Sequence, residues 1–300
     1  MTDAAASLAP QKQDAVRQGL AYGFAGMVAF SLTLPATRTA VAELDPTVVG
    51  LGRALVAASL AALALAASGQ RLPDRATVKR LAIVALGVVV GFPWLSAWAM
   101  QSVPSVHGAV VVGLLPLSTA VFGAAWAGER PSPLFWAATL AGSAAVVGYA
   151  LTVGGGALHL ADLALLGAVV AAGLGYAEGA RLARSLGGWQ VISWALVIAA
   201  PVLAIPVGLA IHAHGLSAGP AAWTGFAWVS LVSMYLGFFL WYRGLVLGGI
   251  ARVGQLQLLQ PFLTIAASAV LLGERVPPAA LVAALVVLLC VAIGRRARIG

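Results

Sequence analysis

The sequence predicts an all-α integral membrane protein, with ten transmembrane helices arranged as two inverted five-helix repeats around a central cavity. Three observations predict this fold: the apolar composition, the placement of the basic residues, and a motif that occurs twice. Of the 300 residues, 61% are hydrophobic and only 9% are charged, whereas soluble domains carry about a quarter of charged residues. A composition of this kind excludes an ordinary soluble protein.

Ten apolar runs follow one another along the chain, and each has about the 20 residues that one membrane span requires. Because lipid offers the backbone no hydrogen-bond partner, each run must be helical or belong to a closed barrel. The runs are too long and too continuous for barrel strands, so we expect helices. The expected helices cover residues 18–40, 47–67, 78–99, 106–127, 134–153, 160–181, 189–211, 222–242, 250–272 and 277–294.

The basic residues predict which way the helices point. With a cytosolic N-terminus, the two tails and alternate loops contain fourteen Lys and Arg residues, and the opposite loops contain only Arg38 and Arg275. Lys and Arg concentrate on the cytoplasmic side of membrane proteins. We therefore expect a multi-pass protein of the inner, cytoplasmic membrane with both termini in the cytosol. The same rule explains the net charge of +8 without a nucleic-acid partner.

The ten helices divide the chain into two halves and three short connecting parts. The first residues lack the basic-then-apolar pattern of a signal peptide and predict a loose tail. The single cysteine, Cys290, lies in the last apolar run and predicts core packing. The expected parts are a cytosolic tail 1–17, a first repeat 18–153, a linker 154–159, a second repeat 160–294 and a basic cytosolic tail 295–300.

A proline followed twelve residues later by Gly-Glu-Arg occurs once in each half, at the same place relative to the last helix. The matching positions are Pro116 and Pro261, Gly128-Glu129-Arg130 and Gly273-Glu274-Arg275, and Pro133 and Pro278. The glycine is expected to end its helix, and the Glu and Arg to neutralise each other. Since a five-helix unit ends on the opposite face, the second copy enters the membrane inverted, as in many secondary transporters.

This plan, with its repeated motif, resembles the EamA branch of the drug/metabolite transporter superfamily over nearly the whole chain. Within that branch it is most similar to the bacterial aromatic amino-acid exporters. The resemblance implies a basket of helices around a central cavity. It also implies alternating access and export of a small molecule from the cytoplasm.

Prolines inside spans predict hinges, because each removes one backbone hydrogen bond and bends its helix. The expected hinges are Pro35, Pro93, Pro116 and Pro261. The last two occupy matching positions of the two repeats, so bent helices four and nine are expected to cross near the centre. A static kink at these positions is the open alternative.

Polar side chains inside the spans or at their outer mouth are the first group of expected substrate contacts: Ser31, Arg53, His107, Gln257 and Gln260. The two glutamines share one face of helix nine. Arg53 is the one basic residue well inside a span, where a charge is a functional indication. It is expected either to attract a substrate carboxylate or to extend outward to the surface.

Aromatic side chains form the second group of expected substrate contacts. Trp94 and Trp98 are four residues apart and stack along one face of helix three, and Tyr176 and Tyr235 lie inside helices six and eight. Together they predict an aromatic-walled pocket. An interfacial position for Trp98 and core packing for the others remain alternatives.

The sequence lacks the motifs of several other functions. It has no P-loop, no zinc-ligand spacing and no carboxylate pair suited to acid–base catalysis, so we expect neither a cofactor nor an enzyme. The predicted function is a secondary exporter of small neutral or zwitterionic metabolites, including aromatic amino acids, whose partners are that substrate and the bilayer. The alternatives are a sugar-phosphate or nucleotide-sugar carrier, which needs several basic cavity residues, and a membrane enzyme acting on lipid.

Overall fold

A computed structural model describes residues 2–127, 132–153, 157–248 and 254–296, and this part of the chain contains helices and no strand. Eight apolar helical segments are long enough to cross a membrane, and two shorter apolar helices follow them. In chain order the segments are α1 Val16–Val41, α2 Val48–Ala67, α3 Arg75–Ala99, α4 Ser105–Trp126, α5 Pro133–Val153, α6 Leu160–Leu186, α7 Gly188–His214, α8 Pro220–Gly244, α9 Leu256–Leu272 and α10 Pro278–Ile293.

The ends of the chain and the connections differ in part from the prediction. The helix that leads into α1 begins at Thr2, so residues 2–17 are helical rather than loose, and their cytosolic location stays a prediction. This stretch is rich in alanine, which has the highest helix propensity. The final helix continues to Arg296. The first Gly128-Glu129-Arg130 motif and residues 154–156 of the expected linker lie outside the described residues, as do 250–253 of the ninth predicted helix.

Several helices depart from regular α geometry where they approach the centre of the molecule. The π-helical stretches are Val48–Gly52 in α2, Ala85–Gly91 in α3 and Trp228–Leu236 in α8, and a 3-10 stretch, Gly254–Leu259, leads into α9. Stretches of this kind are frequent at functional sites because they re-aim side chains. Each of the four contributes to the site described below or directly precedes a residue of it.

The four expected hinge prolines each follow an interruption of regular helix within a few residues. Pro35 follows the turn at Leu32, and Pro93 follows the π-helical stretch of α3. Pro116 follows a turn at residues 113–114, and Pro261 follows the 3-10 stretch before α9. Proline is tolerated in the first turn of a helix because the N–H that it lacks would have no partner there. The prolines therefore begin new helical pieces rather than break continuous ones.

The packing of the segments has an internal symmetry. The main packing pairs are α1 with α8, α3 with α6, α4 with α6, α1 with α9, α2 with α7, α4 with α9 and α5 with α10. In the two halves α1 corresponds to α6, α2 to α7, α3 to α8, α4 to α9 and α5 to α10. When each segment is replaced by its counterpart, the pair α1–α8 becomes α6–α3, and the pair α4–α6 becomes α9–α1. The other three pairs convert into themselves. All seven pairs join a segment of one half to a segment of the other, so these contacts between the halves are symmetric under the exchange.

Small residues allow α3 to approach its neighbours closely. A Cβ atom placed on Gly87 would lie 2.7 Å from Gly175 Cα of α6, and one placed on Gly50 would lie 2.7 Å from Trp94 Cα. Since real Cβ atoms do not come so close, any larger residue would push these helices apart. These contacts fix α3 between α2 and α6, next to the centre of the molecule.

Candidate functional site

A cavity lies at the centre of the molecule, and the atom-free space within it and at its opening to solvent amounts to about 800 Å³. Segments of both halves contribute to its walls, whereas α5, α7 and α10 do not. The lining residues are Phe30, Thr33, Leu34, Arg53, Val88, Phe92, Pro93, Ala109, Val112, Gly113, Leu115, Pro116, Ala172, Tyr176, Ser233, Met234, Phe238, Gln257, Gln260, Pro261 and Thr264.

Arg53 is the one charged residue among the described residues that line the cavity. It follows the π-helical stretch of α2 and is only 1% exposed. Its Nε atom is buried without a hydrogen-bond partner, and Arg53 takes part in no ion pair within the described chain. The expected alternative, an arginine that extends to the surface, is therefore wrong.

Three aromatic rings form one wall of the cavity, which we call the aromatic wall: Phe30 of α1, Tyr176 of α6 and Phe238 of α8. The centroids of Phe30 and Phe238 are 5.1 Å apart, and those of Tyr176 and Phe238 are 6.3 Å apart, both pairs edge to face. This geometry is the favourable one for neighbouring rings. A flat apolar group of a ligand can pack against this wall.

The polar part of the lining comes mainly from α9 and from a pair of hydroxyl groups. Gln257 and Gln260 belong to adjacent turns at the start of α9 and line the cavity. Thr33 and Ser233 form a hydrogen bond of 2.7 Å with each other. The Thr264 hydroxyl donates to the carbonyl oxygen of Ser31, at 2.9 Å. The two amides are thus the polar side chains best placed to bind a ligand.

Seven of the residues singled out in the sequence come together at this cavity: Arg53, Pro93, Pro116, Tyr176, Gln257, Gln260 and Pro261. They belong to five different segments and are far apart in the sequence. Their common location is what the spacing of prolines and polar residues within apolar runs predicts. Whether they bind a substrate is a matter for the proposal below.

Trp94 and Trp98 lie elsewhere, with 44% and 41% of their surface exposed on the outside of the described chain. The reason is helical geometry. Pro93 lines the cavity, and the next residue is turned about 100° around the helix, because an α-helix has about 3.6 residues per turn. Trp98 is four residues beyond Trp94 and shares its face. The expectation that both form a wall of the pocket is not met.

Ser31, Tyr235 and Pro35 also lie off the cavity lining. The Ser31 hydroxyl donates to the carbonyl oxygen of Met27 at 2.8 Å, one turn earlier. Tyr235 is buried between α7 and α8, where its hydroxyl lies 3.3 Å from that of Ser193. Pro35 lines a shallow outer groove with Thr39. The hydroxyls of Ser31 and Tyr235 thus have protein partners, and Pro35 lies outside the central cavity.

His107, expected at the mouth of the site, is paired instead with a carboxylate of α6. Its Nε2 lies 2.6 Å from Asp162 Oδ1, and both side chains are buried. Asp162 also accepts a hydrogen bond from the backbone N–H of His159 and so caps the start of α6. The Tyr149 ring lies 5.2 Å from that of His107. The sequence signal for this pair was an aspartate three residues into a helix.

The residues around Glu274 form a second polar cluster, which we call the Glu274 end. The carboxylate of Glu274 accepts hydrogen bonds from the N–H and hydroxyl of Ser105 and from the N–H of Val106, at 2.8–2.9 Å. Arg38 approaches it at 3.3 Å and donates to the carbonyl oxygens of two residues of the α3–α4 connection. The expectation that Glu274 pairs with Arg275 is wrong, although Gly273 does end α9 in the left-handed conformation.

A third cluster, the Glu178 end, lies towards the other end of α6. The buried carboxylate of Glu178 accepts a hydrogen bond from Arg80 and another from Arg181, the latter at 3.2 Å. Both arginines are partly exposed. All buried carboxylates of the described ion pairs thus have partners at the two ends of the molecule, away from the cavity.

The aromatic wall was only partly foreseen, since Phe30 and Phe238 were not expected in the site. The available signal was position: Phe30 lies three residues before Thr33, and Phe238 three after Tyr235, on helices already marked by polar residues. The described residues contain no cluster of three or more histidines, cysteines or carboxylates that could hold a metal ion. The arrangement presents a guanidinium, two amides and three aromatic rings that can contact a small molecule.

Comparisons with known proteins agree with this architecture. The chain matches the EamA-like transporter family over residues 17–151 and again over 159–294. It is 49% identical over 275 residues to the "Uncharacterized transporter YdeK" of Bacillus subtilis (strain 168), covering 91% of this chain and 96% of that protein. A solved structure titled "Crystal structure of protein" matches with a TM-score of 0.63 at 20% identity, over 93% of this chain and 98% of the other, which shows a shared fold alone.

Proposed function

We propose that this chain, which belongs to the EamA-like transporter family, is a secondary exporter of small neutral or zwitterionic metabolites, amino acids with aromatic side chains included. The observation that carries the proposal is the central cavity, which combines a buried arginine, whose Nε has no hydrogen-bond partner among the described residues, with an aromatic wall. Transporters of small metabolites need such a site, because the substrate must leave water and find replacement contacts.

Each part of the cavity has a role in binding an amino acid. Arg53 presents a planar set of donors that matches a carboxylate. The aromatic wall packs against the side chain of the substrate. The amides of Gln257 and Gln260 offer acceptors for its ammonium group. The resemblance to the bacterial aromatic amino-acid exporter YddG supports this substrate class.

Alternating access is proposed from the two repeats. Two matches to one family and the exchange symmetry of the packing support two related halves. If all ten segments span the membrane, five segments per half make the second half inverted, and the site lies where the halves meet. Pro116 and Pro261 begin new helical pieces at the cavity. We propose that these positions let α4 and α9 change their crossing during transport.

The proposed location is the inner membrane, with both termini in the cytosol. The bias of basic residues supports this orientation. It places the Glu274 end on the outer side and the Glu178 end on the cytosolic side. A sugar-phosphate carrier is less well supported, because Arg53 is the one cation in the described lining. A lipid-acting enzyme lacks a metal-type cluster in the described part of the chain.

Counterflow in liposomes tests the proposal. Purified protein is reconstituted into liposomes loaded with unlabelled phenylalanine, and the uptake of labelled phenylalanine is followed without ATP. We expect uptake to rise above its equilibrium level and then decline, which protein-free liposomes will not show. Phe238→Ala, which removes part of the aromatic wall, should reduce the overshoot. Absence of exchange for phenylalanine and for a panel of other amino acids would refute this substrate class.

A further inference from the structure

We infer that the cavity prefers carboxylates without an ammonium group, namely aromatic 2-hydroxy acids such as 3-phenyllactate, over the corresponding zwitterionic amino acids. This inference rests on the proposed function, since it concerns the charge of the ligand that the same cavity takes. It follows from the charges in the lining and from the hydrogen bonds that the lining has already formed.

The described lining carries a net charge of +1. Arg53 contributes the whole of it, because none of the other described lining residues is Asp, Glu, Lys, Arg or His. A monoanionic ligand brings the charge of the occupied cavity to zero, whereas a zwitterion leaves it at +1. Because a charge is stable away from water only when it is paired, the monoanion is favoured.

The cavity offers an ammonium group only neutral partners. The hydroxyls of Thr33 and Ser233 bond to each other, and that of Thr264 donates to a backbone carbonyl. Their oxygens can still accept, and the further neutral acceptors are the Tyr176 hydroxyl and the amide oxygens of Gln257 and Gln260. An amide accepts and donates equally well, so it satisfies a ligand hydroxyl completely but leaves the charge of an ammonium uncompensated.

Elsewhere among the described residues, half-buried arginines are paired with carboxylates. Glu178 binds Arg80 and Arg181, and Glu274 binds Arg38. Arg53 is more deeply buried than any of these arginines and yet lacks such a partner within the described residues. Among the described arginines that are buried or half-buried, Arg53 is thus the one without a carboxylate partner, and its position suits a carboxylate that arrives with the ligand.

Three probes with the same ring separate the charges. 3-Phenyllactate carries only the carboxylate, phenylalanine carries carboxylate and ammonium, and phenylalaninol carries only the ammonium. Calorimetric titration of the purified full chain in detergent measures binding without requiring transport. We expect 3-phenyllactate to bind about tenfold more tightly than phenylalanine, because the ammonium group of phenylalanine leaves an unpaired charge in the cavity. Phenylalaninol should bind most weakly, because it lacks the carboxylate that pairs with Arg53 and a hydrogen bond to a charged group contributes roughly a tenfold factor or more.

Two substitutions assign the preference to Arg53. Arg53→Gln keeps hydrogen-bonding capacity without the charge, and we expect it to weaken 3-phenyllactate binding by roughly tenfold to a hundredfold while leaving phenylalaninol unaffected or slightly tighter. Arg53→Lys keeps the charge without the planar set of donors and should give an intermediate loss. The control Arg75→Gln removes an arginine outside the cavity and should change none of the three affinities.

Two results would overturn the inference. One is phenylalanine binding as tightly as 3-phenyllactate or more tightly, and the other is an equal loss of all three probes in Arg53→Gln. Failure of the proposed function has a different signature, because counterflow would then be absent for every probe, whatever the order of affinities. An inactive protein that still prefers 3-phenyllactate would be a binding protein with the predicted charge selection.

Discussion

Two buried sites with ionisable side chains differ in whether they have a protein partner: the His107–Asp162 pair and Arg53. At the first, an imidazole and a carboxylate from different segments meet at 2.6 Å, and the carboxylate also caps a helix. At the second, a guanidinium lines a cavity, and its Nε has no partner among the described residues. The paired site is complete within the protein, and we propose that a ligand completes the unpaired one.

The difference shows how a buried charge can be interpreted. Removing one member of a buried pair leaves the other without compensation and is strongly destabilising. Removing a charge that has no partner relieves a desolvation cost instead. The change in unfolding free energy on substitution therefore distinguishes charges that stabilise the fold from charges that serve ligand binding. The following substitutions apply this test, beginning with the largest expected effect.

Asp162→Ala should destabilise the protein most. It leaves His107 buried without its carboxylate and removes the cap at the start of α6. We expect a loss of about 3 kcal/mol of unfolding free energy, the range for breaking a buried pair. The measurement is thermal or denaturant unfolding in detergent. Asp74→Ala, which removes an exposed helix cap, is the control and should produce a much smaller fall. Equal effects would contradict a special role for the buried pair.

Glu274→Gln should have the next largest effect. The amide retains the shape but loses the charge and one acceptor for the N–H groups of Ser105 and Val106 and for Arg38. We expect a loss of about 1–2 kcal/mol, because hydrogen bonds to a charged acceptor are stronger than neutral ones. The matched control is Glu43→Gln, whose carboxylate accepts one exposed bond from Gly219. A control that falls as far would show that the Glu274 end is not specially held.

Arg80→Gln should have a small effect on stability. Its side chain is partly exposed, and Glu178 keeps the second partner Arg181. We expect a loss below about 1 kcal/mol that shrinks as salt is added, as for exposed ion pairs. Unfolding at low and high salt measures both features. A loss as large as that of Asp162→Ala would mean that partial exposure is no guide to the strength of these pairs.

The sequence predicted the helical class and the approximate positions of all ten apolar segments, because length and hydrophobicity are local properties. The structure brings Arg53, Tyr176, Gln257 and Gln260, which the sequence had singled out, to one cavity, and their contact with a substrate stays a prediction. They could be identified because they are polar or charged side chains inside apolar runs: a guanidinium, two amides and a phenol. Such signals need no knowledge of the packing.

The predictions that failed depended on rotation and partner choice. Trp94 and Trp98 differ from Pro93 by one helical step, and only the packing of α3 decides which face meets the cavity. The partner of Glu274 is Arg38, more than two hundred residues earlier in the chain, rather than its neighbour Arg275. Long-range pairs of this kind arise from the tertiary fold and leave no trace in local spacing.

The melting temperature of Arg53→Met, measured beside that of the unsubstituted chain without added ligand, tests the central claim most directly. Methionine has a similar length and no charge, so it removes the desolvated guanidinium and keeps the packing. If Arg53 is kept for a ligand, the substitution leaves the melting temperature unchanged or raises it, while binding of 3-phenyllactate is lost. A fall as large as that of Asp162→Ala would show that Arg53 holds the fold, and would contradict the account.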